Sequence, residues 1–333
     1  MIDEGGSAPF SLPLLLRFPA LAWMPRVRLG TFPTPVQEAT LPNGETLWIK
    51  RDDRSGVPLG GNKVRSLEFL LAGVRRGDAV VTTGARGSTH ALATAIYGRA
   101  LGARVTVVRW PQEMNDDAVK VEAAIRRTAF ETRDRRTAVG ALFDAAVVRF
   151  VRHAHWVPPG GTSPRGALGH VNAALELAEQ IAAGRLPSPG RVVVPLGSGG
   201  TAAGLALGLA IAGVDATVLA VTVAPGIVAN RRRVLAVARR TARLIERTAG
   251  VKVPRPEPAR IVVDREQYGG AYGRATEAGR AAAHWIESTA GIPVDATYSA
   301  KALAAAMSPT LAGGTSRKGP SLFWLTFDAR ALR

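Results

Sequence analysis

Apolar positions along the chain fall into two alternating patterns. Short, nearly continuous apolar runs occupy 79–83, 104–108, 191–196, 217–223, 261–263 and 321–325, the length and composition of buried strands. Between them, apolar residues recur every three or four positions, as in Val64, Leu67, Leu70, Leu71 and Val74. That spacing predicts helices from Lys63 onward and over 88–101, 116–127, 138–151, 168–183, 200–212 and 275–290, with an arginine-rich helical stretch after 223. Apolar strands alternating with helices predict an α/β fold whose mainly parallel sheet is covered on both faces. Residues 1–35 read as an irregular lead-in ending at Phe32-Pro33-Thr34-Pro35, where two prolines rule out regular helix. Pro42-Asn43-Gly44 between two strand-like runs predicts a hairpin. Pro158-Pro159-Gly160-Gly161 breaks the pattern midway, and no repeat of fixed period is present.

With 333 residues, the chain can bury a large core and divide into two domains. No apolar run is long enough for a membrane-spanning helix. The apolar stretch 10–23 is interrupted by Pro13, Arg17 and Pro19 and preceded by Asp3 and Glu4, which argues against a secretory leader. The chain contains no cysteine, which excludes disulfides, thiolate metal sites and cysteine nucleophiles, and no metal is expected. A cytoplasmic enzyme is the simplest placement. The net charge of +17 raises the question of a nucleic-acid partner. The arginines are dispersed, though, and with 6% aromatic residues and no zinc-finger or RNA-binding signature, no specific nucleic-acid binding is expected. The charge would instead attract small anions.

Candidate chemistry concentrates in residues 50–68, KRDDRSGVPLGGNKVRSLE. The flexible Gly60-Gly61 delivers Asn62 and Lys63 to the start of a helix. The positive end of the helix dipole disfavours a cation there, so the amine should lose its proton more readily, as a Schiff-base nucleophile requires. Arginine is the habitual cation of this chain, and a lysine retained here suits chemistry that guanidinium cannot perform. A solvated loop lysine is the structural alternative.

Three further segments carry polar groups at strand-to-helix turns or helix starts. Gly197-Ser198-Gly199-Gly200-Thr201 follows a strand and opens a helix, a geometry that cradles phosphate on backbone N–H groups. It lacks the lysine of a Walker loop and the downstream acid of a dinucleotide fingerprint. In Thr83-Gly84-Ala85-Arg86-Gly87-Ser88-Thr89-His90, Ser88 suits either a helix cap or a ligand contact. His90 suits either a helix face or a base. Tyr272 and Tyr298, two of only four tyrosines, each precede a helix.

Taken together, IKRDD…GGNKVRSLEFLL, the turn at Ser88, GSGGTAAG and DATYSAKA resemble the fold-type II pyridoxal-phosphate enzymes, whose architecture is that of tryptophan synthase β. The resemblance is strongest to the D-cysteine desulfhydrase / 1-aminocyclopropane-1-carboxylate deaminase family and runs from the Phe32 lead-in to Thr326. It implies two domains, a large one of residues 1–65 with 162–333 and a smaller inserted one of 66–161, with the cofactor between them. It implies Lys63 as the lysine joined to the cofactor and Gly197, Ser198, Gly199, Gly200 and Thr201 as the phosphate cup. Asn62, Thr89 and Thr326 would also contact the cofactor, Thr326 opposite the pyridine nitrogen. Ser88, Tyr272 and Tyr298 would act on the substrate. A homodimer is expected on the same ground.

The implied reaction is β-elimination from a small amino acid, as in D-cysteine desulfhydrase, giving pyruvate, ammonia and sulfide. A cyclopropane-opening deaminase, or a homologue that binds the cofactor with little turnover, is the alternative. Three departures from the family pattern bear on this choice. Thr89 replaces an asparagine whose amide contacts the cofactor ring. Phe327-Asp328 replaces Gly-Gly and is expected to crowd the backbone there. Ser299 stands where the deaminases carry glutamate, which points away from the cyclopropane substrate.

Overall fold

The computed structural model describes residues 12–308 and 319–332. Asp3 and Glu4, on which the leader argument leans, lie outside them. Among the described residues ten strands form two sheets. The first is built from β1 (Val36–Thr40), β2 (Thr46–Arg51), β7 (Arg191–Leu196), β8 (Thr217–Thr222), β9 (Ile261–Asp264) and β10 (Ser321–Leu325), in the order β1-β2-β10-β7-β8-β9. Only the predicted hairpin β1–β2 is antiparallel, with Gly44 in the left-handed region at its turn. The second sheet draws on one stretch of chain: β3 (Ala79–Ala85), β4 (Arg104–Trp110), β5 (Glu131–Asp134) and β6 (His155–Val157), all parallel in the order β5-β4-β3-β6.

Helices α2 (Asn62–Leu70), α3 (Thr89–Ala100), α4 (Asp116–Thr128), α5 (Ala138–Val151), α6 (Pro164–Ala182), α7 (Gly200–Ala212), α8 (Arg231–Ala249), α9 (Glu277–Ala290) and α10 (Ser299–Met307) connect and cover the strands. Helix α7 is apolar on all sides and nearly fully buried. It lies against α6 through Gly204 and Gly208, where an added Cβ would approach the carbonyl oxygens of Ala167 and Val171 to 2.6 Å. The arginine-rich stretch forms the amphipathic α8. Its inner face buries Val234, Ala238, Ala242 and Ile245 and turns Arg232, Arg239, Arg243 and Arg247 to solvent. Among the described residues no helix is long and apolar enough to cross a membrane.

The sequence reading needs correction in three places. A short helix, α1 (Pro13–Arg17), lies within the predicted irregular lead-in, with its proline in the first turn, where the missing N–H costs nothing. Helix α2 stops at Leu70, short of Val74, in a segment that turns at Gly73. Strand β5 went unpredicted because Glu-Thr-Arg-Asp carries no apolar signal. It exists through backbone pairing with β4 at the sheet edge.

Beneath the start of α2 lies a buried ionic network. Arg65 donates through Nε to Asp52 Oδ2 at 2.9 Å, through Nη2 to Asp52 Oδ1 at 2.7 Å and through Nη1 to Glu176 Oε2 at 2.9 Å. Lys50 is ion-paired with Glu176 and donates to the Thr34 carbonyl at 2.6 Å, and Trp324 Nε1 donates to Asp52 at 2.7 Å. Burial alone would raise both carboxyls. The Arg65 charge and hydrogen bonds, together with the Lys50 charge, outweigh it and hold Asp52 and Glu176 below their ordinary values. The network thereby ties β2, α2, α6 and β10 together.

Candidate active site

A cavity of about 740 Å³ opens at the carboxyl ends of the parallel strands, the usual ligand position in open α/β sheets. Thr83 to Ala85 of β3, Trp110 of β4 and Pro195 of β7 line it, together with the starts of α2, α3 and α7.

Lys63 reaches the cavity because of Gly61. That glycine has φ of +136°, and an added Cβ would lie 2.8 Å from the Thr326 carbonyl oxygen. The close approach lets Gly61 pair with Phe327 and lets the Asn62 N–H donate to the same carbonyl at 3.0 Å. Glycine on the opposing segment makes the close backbone approach, and Phe327 joins the apolar cluster with Leu59 and Val64 while also lining the cavity. Half-buried Lys63 donates through Nζ to the Gly160 carbonyl at 3.3 Å. Removal from water lowers its pKa to about 8. The direction agrees with the sequence argument, but the identified cause is burial.

The glycine-rich turn forms a cradle. Gly199 sits at φ of +94°, and the first N–H groups of α7, which no helical carbonyl can satisfy, open at this end of the cavity. Thr201 Oγ1 accepts from Asn62 Nδ2 at 2.9 Å, which links the cradle to the residue before Lys63. Ser198 and Thr162 hydroxyls bond at 2.6 Å, and Arg233 Nε donates to the Ser198 carbonyl at 3.0 Å. Thr162 and Arg233 escaped the sequence reading. The former follows a segment read only as a break, and the latter is one arginine among many. Gly160 has to be glycine, since a Cβ there would collide with Ser198 Oγ.

At the third wall, Ser88 caps α3 by accepting from the Ala91 N–H at 3.3 Å and also lines the cavity. Thr89 is hydrogen-bonded to Tyr298. Tyr298 in turn shares a short hydrogen bond with Tyr272, their rings edge to face at 6.0 Å. Burial pushes Tyr272 up to about 12 and Tyr298 well above its ordinary value, so both phenols hold their protons at neutral pH. Asp295 fixes the Tyr298 backbone by accepting from the Tyr298 and Ser299 N–H groups at 2.6 and 3.1 Å. Thr326, buried at the exit of β10, completes the lining.

His90 also borders the cavity and His170 lies behind it, contacting Thr201. Burial, with the Lys63 charge second, lowers His90 to about 3 and His170 well below its ordinary range. Both imidazoles stay neutral, which disfavours His90 as a base near neutrality. The stability consequence has a definite sign. Below the ordinary histidine pKa of about 6.5 the unfolded chain takes up two protons that the folded chain refuses. Stability is full above that value and falls as pH drops, with a slope approaching about 2.7 kcal/mol per pH unit. Urea unfolding between about pH 7 and pH 5 measures this slope, and His170→Gln should roughly halve it. A flat profile would refute neutral burial.

Fold and cavity together define a class: an α/β enzyme that pairs a lysine amine with an anion cradle, as a phosphorylated aldehyde cofactor requires. Comparison with known families gives the same answer. The family described as Pyridoxal-phosphate dependent enzyme matches residues 27–326, and the chain belongs to it. Its cofactor is pyridoxal phosphate, and its fold is the expected fold-type II arrangement. The chain is 32% identical to D-cysteine desulfhydrase of Salmonella paratyphi B, over 94% of this chain and 96% of that one. It is 35% identical to nocardicin C-9' epimerase of Nocardia uniformis subsp. tsuyamanensis, over 92% and 94%. A crystal structure of an ACC deaminase homologue superposes with a TM-score of 0.77 at 29% identity, covering 96% of this chain and 95% of that one.

Proposed function

We propose that the protein is a carbon–sulfur lyase or deaminase of D-cysteine desulfhydrase type, acting on a small amino acid. The observation that carries this reading is the convergence of Lys63, the Gly197–Thr201 cradle, the Ser88 turn and the Tyr272–Tyr298 pair on one cavity. The cradle fits a phosphate: it offers first-turn N–H groups and hydroxyls, and Gly199 takes the left-handed turn, φ of +94°, that opens α7 there. In this reading Gly197, Ser198, Gly199, Gly200 and Thr201 would hold the phosphate, Asn62 steadies Thr201, and Thr326 would offer a neutral hydroxyl to the ring nitrogen. The chemistry that bound pyridoxal phosphate would supply is electron withdrawal from the substrate α-carbon, which eases loss of the α-proton and then of the substituent on the β-carbon. Lys63, with its amine readily freed of its proton, accepts the α-proton. The N-terminus of α3 with Ser88 offers hydrogen-bond donors to the substrate carboxylate. The protonated phenols of Tyr272 and Tyr298 supply hydrogen bonds beside the leaving group. For D-cysteine the carbon–sulfur bond breaks with its electron pair on sulfur, and hydrolysis leaves pyruvate and ammonia.

The proposed domain division, 1–65 with 162–333 and 66–161, is supported by the way each sheet draws on separate stretches. A homodimer is proposed from the family resemblance, and a cytoplasmic placement from the composition. The apolar Val139, Phe143 and Phe150 that α5 leaves exposed are a surface a second copy would cover.

Pyruvate and sulfide release from D-cysteine by the cofactor-loaded protein tests the reading, with 1-aminocyclopropane-1-carboxylate as the competing substrate. Pyruvate and sulfide formed in equal amounts support it. Exchange of the α-hydrogen in deuterium oxide without pyruvate would replace it with epimerisation, the activity named for the Nocardia relative. Cofactor binding with neither reaction would leave a homologue without turnover.

A further inference from the structure

The turn after β4 and the start of α4 lie in the four-stranded sheet's half of the molecule, yet they grip both tyrosine-bearing segments. Asn115 caps α4 by accepting from the Ala118 N–H at 2.9 Å. Its Nδ2 donates to the Gly273 carbonyl at 2.6 Å and to Thr297 Oγ1 at 2.9 Å. Gly273 is the neighbour of Tyr272 and Thr297 that of Tyr298. Asp117 Oδ2 accepts from the Ala296 N–H at 2.8 Å. Gly273, at φ of +89°, lies so close to the Glu113 carbonyl that a Cβ would overlap it. The Glu113–Arg274 ion pair at 3.0 Å is half-exposed and adds little. One amide group is thus bonded beside each phenol, while Asn115 itself does not line the cavity.

We propose that Asn115 is a positioning residue for the phenol pair: its amide ties the two chain segments together so that Tyr272 and Tyr298 share their hydrogen bond. That this pair acts on substrate rests on the function proposed above. The positioning itself can be read without any substrate.

The test uses Asn115→Ser, whose hydroxyl can still accept from the Ala118 N–H and so keeps the cap, but cannot supply the two amide donors. Ultraviolet titration of tyrosine ionisation in the cofactor-loaded protein should give a wild-type-minus-variant difference equal to two phenols, shifted down by about one pH unit. Tyr97, held by the Leu59 carbonyl far from the clasp, should titrate as before. With D-cysteine as the probe, kcat should fall about tenfold with KM within about twofold. A flat difference titration overturns the inference. So does a shift of all four phenols accompanied by a lower melting temperature, since that would report general loosening. Thr297→Val leaves the α4 cap untouched and should give the same difference at smaller size. If Asn115→Ser does not fold, a flat titration of Thr297→Val overturns the inference by itself. Absence of D-cysteine turnover would strike the proposed function and leave the titration result standing.

Discussion

Lys63→Ala will eliminate covalent capture of pyridoxal phosphate and lower lyase turnover by a factor of about 10³ or more. The amine sits at the start of α2, faces the cavity and has the Gly160 carbonyl as its hydrogen-bond partner. With its pKa lowered to about 8 by burial, roughly one amine in ten is free at pH 7. An ordinary lysine would have a free fraction smaller by roughly 300-fold. The sign is definite: the neutral form is the reactive one, so the rate at which the apoenzyme captures the cofactor should rise with pH and level off above about 8. Stopped-flow absorbance of the cofactor measures this directly. A capture rate still climbing at about pH 10 would show that the amine is not desolvated, and capture by Lys63→Ala at the wild-type rate would assign the chemistry to another lysine.

Arg65→Ala should be the most destabilising single substitution in the neighbourhood of the site. Arg65 is buried, and its guanidinium answers both Asp52 and Glu176 with paired hydrogen bonds. Removing it leaves two buried carboxylates facing one buried lysine. Breaking a buried charge pair in this way costs about 3–5 kcal/mol. For a chain of 333 residues that corresponds to a fall of about 4–7 °C in melting temperature. Arg65→Lys keeps the charge but lacks the planar fork, so it should fall between the two. A loss below about 1 kcal/mol in denaturant unfolding would mean that the network contributes no net stability. Because Arg65 and Lys63 stand two residues apart on one short helix, the cofactor should also be captured more slowly by the folded fraction of Arg65→Ala. Calorimetry and capture kinetics on the same sample separate the two effects.

The order of strands and helices was legible in the sequence because burial imposes a period. Strands buried on both faces read as unbroken apolar runs, and one-sided helices repeat every three to four residues. The same logic fixed β10 at 321–325 and α5 at 138–151. It failed where position came from pairing or context, as in the polar edge strand β5. Lys63, the glycine-rich turn and the scarce tyrosines stood out as particular residue types at turns or helix starts, and the structure brings them to one cavity.

Partnership was not legible. No spacing rule joins Asn115 to Thr297 across 182 positions, or Trp324 to Asp52 across 272. Nor could it show that Thr89 would find Tyr298, that Gly61 would pair with Phe327, or that Thr162 would bond Ser198. The sequence by itself determined which groups can carry charge, donate a proton or bend the chain, because those are properties of single residues and their near neighbours. Only the tertiary structure decided which of them meet, and how far burial shifts their proton affinities. Both depend on the contacts and the water excluded when distant segments pack.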